Sequence, residues 1–211
     1  MGKSENYIAR KIGRFFDFSD VFVSIGMIAL VLKFWMYPTS EDVADIKTFG
    51  VLMAFEFIMV HSGVFMLFAS SMFSPWVALG VFFPVYGLFA YAFNAIAGNN
   101  VVMWTYLFVV AWRMRFAFSR PDHLVAMQAF AIAFFKAFVY FGALVLSSLV
   151  LENVFPYFGL TPEFAEATKL GGKNFFSTPH ALMGFAFLYY AGLAIFDYWL
   201  TKDISRLATP A

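Results

Sequence analysis

Glu56, His61, Arg113 and Lys136 are ionisable residues that stand well inside stretches apolar enough to fill hydrocarbon. A charge at a bilayer centre costs about 2.5–3.5 kcal/mol on insertion scales, so a residue of this kind faces a partner or a wet cavity. Lys136 is the most constrained, roughly 18 Å from either end of its stretch at 1.5 Å rise per residue. Ala129, Ala133, Tyr140 and Ala143 recur around it at helical spacing. A small-residue stripe of that kind packs against other helices, so Lys136 is expected to face inward. Glu56 is the natural counter-ion, with Tyr140 and Asn94 as neutral hydrogen-bond partners. Together Glu56, His61, Lys136, Arg113, Asn94 and Tyr140 form the expected polar site. Lys33 and Asp197 stand near the ends of their stretches, where a long or end-placed side chain reaches a surface, and are set aside.

Glu56 and His61 are five residues apart, about 140° around a helix of 3.6 residues per turn, so they do not share a face and do not make a metal site by themselves. His61 is instead expected beside Lys136 or Arg113, where neighbouring cations keep an imidazole neutral. Bis-histidine haem would need His61 and His180 at one level, but they are separated by roughly 15 Å in depth at helical rise. The same mismatch weakens a serine hydrolase built on Ser62 and His180, and the Gly-x-Ser-x-Gly elbow is missing. With no cysteine in the chain, disulfides, thiolate metal sites, iron–sulfur clusters and catalytic thiols are excluded. No metal or cofactor is expected, and an enzyme is the less favoured class.

The elements that position these residues are long and apolar. Of 211 residues 62% are hydrophobic and 13% charged, and mean hydropathy is +0.77; soluble domains carry about a quarter charged residues. The 31 phenylalanines exceed what one small core can bury. Six stretches approach the roughly 20 residues needed to span hydrocarbon: 20–37, 48–71, 75–97, 101–119, 124–150 and 179–200. The fold class is therefore read as all-α, a polytopic membrane protein with a six-transmembrane-helix bundle. Residues 1–19, with Ile8, Ile12, Phe15, Phe16 and Phe18 among basic residues, read as an amphipathic N-terminal segment, and 201–211 as a short tail. Lys3, Arg10, Lys11 and Arg14, then Arg113, Arg115 and Arg120, then Lys202 and Arg206 all fall on one side if the helix count is even, which places both termini in the cytoplasm. Trp35, Tyr37, Trp76, Trp104, Tyr106, Trp112 and Trp199 fall near the expected interfaces.

Local punctuation sharpens the boundaries. Thr39-Ser40-Glu41-Asp42 reads as a capping box ahead of the second helix, and Thr178-Pro179 as N-cap and first residue of the sixth. Thr161-Pro162-Glu163, closed by Gly171-Gly172, reads as a short helix whose Phe164, Ala165, Ala167 and Leu170 would lie on the outer membrane surface. Gly80, Pro84, Gly87, Tyr91 and Asn94 line one face of the third helix, better read as a packing seam than as a cavity wall.

No motif is specific enough to assign a family or a substrate. The first expectation is a small transporter or channel for an ion, a proton or a polar solute, in which Glu56 exchanges a proton or cation, Lys136 is its counter-ion and His61 a relay. The alternative is an accessory or scaffolding subunit of a larger membrane complex, for which the phenylalanine surplus would provide partner-facing surface. An intramembrane enzyme or haem protein is the third. The expected partners are the lipid bilayer and a second copy or membrane-complex subunit, not nucleic acid, for which a net charge of +1 offers nothing. The expected location is a bacterial inner membrane.

Overall fold

The computed structural model describes residues 21–118, 123–151, 153–171, 176 and 178–207. They form seven helices and no strand: α1 (Val21–Met36), α2 (Val43–Met72), α3 (Pro75–Ala97), α4 (Val101–Phe118), α5 (His123–Leu146), α6 (Pro162–Ala167) and α7 (Pro179–Leu207). The expected amphipathic segment 1–19 lies outside the described residues. Three helices are long and apolar enough to cross a membrane, over Trp76–Ala97, Met127–Leu149 and Pro179–Trp199; Val21–Met36 and Val101–Ala111 are apolar but shorter. Six full spans are thus not met among the described residues, and the chain is a helical protein with three helices long and apolar enough to cross a membrane.

The helix ends follow from their residues. Asp42 closes the turn before α2 by accepting hydrogen bonds from the Thr39 amide (2.9 Å) and hydroxyl (2.8 Å), as the capping-box pattern predicts. Ser74 accepts from Val77 N and Pro75 opens α3, while Gly98 at φ +69° ends it in the left-handed conformation that glycine adopts without strain. Pro179 opens α7, which continues through Leu207, past the expected end at 200. The last turn of α5 widens into a π-helical stretch at Ser147–Leu151.

α2 is the shared spine of two cores. On one side Val31, Phe34 and Trp35 of α1 meet Ile46, Phe49 and Met53 of α2, Tyr140 of α5 and Leu182, Phe185, Ala186 and Tyr189 of α7. On the other, Phe55 and Met59 of α2 meet Tyr86 and Ala90 of α3 and Val102, Tyr106 and Val110 of α4. α7 is the most enclosed span, with 56% of its apolar window buried against 11% for α3 and 17% for α5. The outward faces of α3 and α5 are accordingly apolar: Phe83, Leu88 and Phe89 on one, Phe130, Phe134, Phe138 and Phe141 on the other. Water does not tolerate so continuous an apolar surface on a monomer.

The loop after α5 is docked, not draped. The Trp35 indole N–H donates to Pro156 O (2.9 Å), the ring meets Phe155 and Phe158 edge-on, and Gly159 N donates to Trp35 O (3.0 Å). Trp35 is therefore a buried anchor, and Tyr106 is buried too, whereas Tyr37, Trp76, Trp104 and Trp199 are exposed in the manner of an interfacial belt. The Trp112 side chain lies outside the described residues. In α6, Thr161 accepts from Phe164 N (3.3 Å) as expected, but the helix ends at Ala167 and the chain turns left-handed at Lys169 (φ +53°), ahead of the glycines. That left-handed turn sends Leu170 into the core with Phe164 packed against it, so these two do not lie on the membrane surface.

Candidate functional site

The site is built where α2, α5 and α7 meet. Glu56, half-buried on α2, accepts a hydrogen bond from the phenol of Tyr189 (3.0 Å), whose ring is 1% exposed. Tyr140 and Tyr190 lie within electrostatic range of the same carboxylate. Tyr140 packs edge-on against Tyr189, with ring centres 5.1 Å apart, and donates to the Met53 carbonyl of α2 (2.6 Å). One helical turn along α5 from Tyr140, Lys136 pairs with Asp197 of α7 at 3.1 Å. The Asp197 side chain is 7% exposed and that of Lys136 25%, so this pair is held largely inside the bundle.

Three of the expected site residues, Glu56, Tyr140 and Lys136, thus lie on the helices that form the site, and three others join it: Tyr189, Tyr190 and Asp197. Lys136 finds in Asp197 a partner that the sequence reading had set aside. Asp197 is ten residues short of the end of α7, so it does not reach a surface, and the inward face of α7 carries it to α5. The two tyrosines carry no sequence signal that separates them from the chain's other aromatics; their only cue is a Tyr-Tyr pair on the most enclosed helix.

The remaining candidates go elsewhere. His61 turns back on its own helix, Nδ1 donating to the Phe57 carbonyl one turn earlier (2.6 Å), with the imidazole 4.3 Å from the Phe57 ring. Asn94 is used at the α3–α4 turn: its side-chain oxygen accepts from Met103 N (3.2 Å), a donor that the start of α4 leaves open, and its amide donates to Asn100 Oδ1 (3.3 Å). Asn99, in the same turn, donates to Thr48 of α2 (2.9 Å). Arg113 lies on α4, but its side chain is outside the described residues. The stripe on α3 divides, since Gly87 makes room for the Tyr106 phenol, which donates to the Phe83 carbonyl, while Gly80, Pro84 and Tyr91 are exposed. A helical face spans a wider arc than one neighbour covers.

Among the described residues no group of three His, Asp or Glu side chains could hold a metal ion. What the site offers is a carboxyl with a phenol that can donate to its ionised form or accept from its protonated form, next to an internal ion pair. No family model, curated protein or solved structure matches the chain. The chemistry of its own residues is therefore the basis for a functional reading.

Proposed function

We propose that the chain is a six-span proton-linked transporter or channel for an ion or small polar solute, with Glu56 as the exchanging group. In this reading α1, α2, α3, α4, α5 and α7 all cross the bilayer, both termini are cytoplasmic, and the basic residues at the C-terminal ends of α4 and α7 face the inside of a bacterial inner membrane. The observation that carries it is the Glu56–Tyr189 hydrogen bond between α2 and α7, about 20 Å along α2 from its start at 1.5 Å per residue. A carboxyl at that depth is costly unless it has work or a partner. Tyr189 lowers the cost in both protonation states, which is what a group that cycles between them needs. Lys136 and Asp197 place an ion pair along the same helices, so the cation near the site has a carboxylate partner besides Glu56.

The test is proton flux into vesicles of phosphatidylethanolamine and phosphatidylglycerol that enclose a pH-sensitive dye and carry a valinomycin-imposed potential. The expected result is flux above empty vesicles for the native chain, its loss in Glu56→Gln, and a fall of about tenfold in Tyr189→Phe, equivalent to removing one hydrogen bond to a charged group. Native flux no greater than that of empty vesicles, or full flux in Glu56→Gln, overturns the reading.

A further inference from the structure

His61 belongs to a different surface from Glu56. Phe57, His61, Phe65 and Phe68 follow one another at offsets of four, eight and eleven residues, within an arc of about 80° on α2. The three phenyl rings are exposed, Phe65 by 54% and Phe68 by 56%, so this arc looks out of the bundle and the imidazole stands in an aromatic stripe. Its tautomer is fixed by its partner: a carbonyl oxygen only accepts, so Nδ1 carries the proton that goes to Phe57 O, and in the neutral ring Nε2 presents a lone pair. No described residue engages Nε2. With α2 in the bilayer, as the six-span reading has it, an acceptor without a donor costs on the order of 1–3 kcal/mol, and anchoring of Nδ1 aims that lone pair along a set direction.

We propose that this stripe is a lateral binding site, open to the lipid phase, for an apolar molecule with a planar ring bearing a hydroxyl donor, of the hydroquinone class. The ring hydroxyl donates to His61 Nε2, and the ring lies against Phe57 and Phe65, where aromatic faces and edges stack at centroid separations of about 4.5–7 Å. The site uses neither Glu56 nor the Lys136–Asp197 pair; it rests on α2 crossing the bilayer, as the six-span reading has it, but not on proton exchange at Glu56.

The experiment is saturation binding of radiolabelled decylhydroquinone to the whole protein in phosphatidylcholine nanodiscs, with empty nanodiscs subtracted. The expected result is one saturable site per chain, weakened at least tenfold in His61→Leu and unaltered in Glu56→Gln. On the native protein, with no variant involved, the dimethyl ether of the same probe, which lacks the donor, and dodecanol, which lacks the ring, each bind at least tenfold more weakly. Equal binding of the dimethyl ether, or undiminished binding in a His61→Leu protein of native helical content, overturns the proposal. No saturable site at all, or a haemin Soret shift that His61→Leu removes without any hydroquinone binding, overturns it as well.

Discussion

At the scale of single residues, the decisive contacts are those in which a charged side chain finds its partner on a distant element. Lys136 was legible as an inward-facing cation, because no surface is within its reach. Its partner was not, because hydropathy alone placed Asp197 near a helix end, whereas α7 extends ten residues further. Removing one member of such a pair takes from the other its ionic partner, at a cost of about 3 kcal/mol, while exchanging both for apolar residues is close to neutral. Lys136→Leu and Asp197→Leu are each expected to lower the thermal midpoint in detergent by several degrees, and the double variant to recover most of the loss. A double variant no better than the sum of the singles would show that the two do not act as a pair. Asp42 provides a second prediction. The Lys33 ammonium beside it, followed by the Thr39 hydroxyl and amide, holds its carboxyl down to about 2 from an ordinary 3.8. A folded value below the unfolded one adds stability that is fully present above about pH 4 and is lost as pH falls through about 2. Thermal midpoints measured from pH 5 to pH 2 are expected to fall more steeply for the native chain than for Asp42→Asn.

At the scale of elements, the ends of helices were far more readable than their faces. Thr39, Pro75, Thr161 and Pro179 mark starts through local chemistry that survives in any tertiary setting. Which side of α3 meets α4, or which way Leu170 turns after α6, depends on a neighbour that spacing does not specify. The glycines show the difference. A Cβ on Gly184 would lie 2.6 Å from the Phe155 ring, and one on Gly192 2.8 Å from Val139, whereas Gly142 has nothing within 4 Å. Gly184→Ala is expected to destabilise by about 1–3 kcal/mol through overpacking against the docked loop. Gly142→Ala is expected to stabilise α5 by about 0.5–1 kcal/mol by restricting the unfolded chain. Denaturation midpoints in one detergent compare the two directly, and equal shifts would contradict the packing described.

At the scale of the whole molecule, composition was enough to predict an all-helical chain with an apolar exterior. It could not divide the apolar residues between two cores and a lipid-facing surface, since the same phenylalanines serve all three. The absence of native cysteine makes the proposed topology directly measurable. Single cysteines at Ser40 and Glu163 are expected to react with an impermeant maleimide added to intact cells, and one at Lys202 only after lysis; labelling of all three from outside would reverse or break the assignment. The two cores also set an order of assembly. α3 and α4 complete their packing against α2 with residues close to them in sequence, so that half can consolidate as soon as the fourth helix has left the ribosome. Trp35 has to wait, because Pro156 is 121 residues further on and the rings packed on it, Phe155, Phe158 and Phe187, come from the same loop and from α7. A nascent chain stopped before residue 150 therefore displays an unclaimed tryptophan on its first helix, a mark by which quality control could tell an unfinished molecule from a finished one.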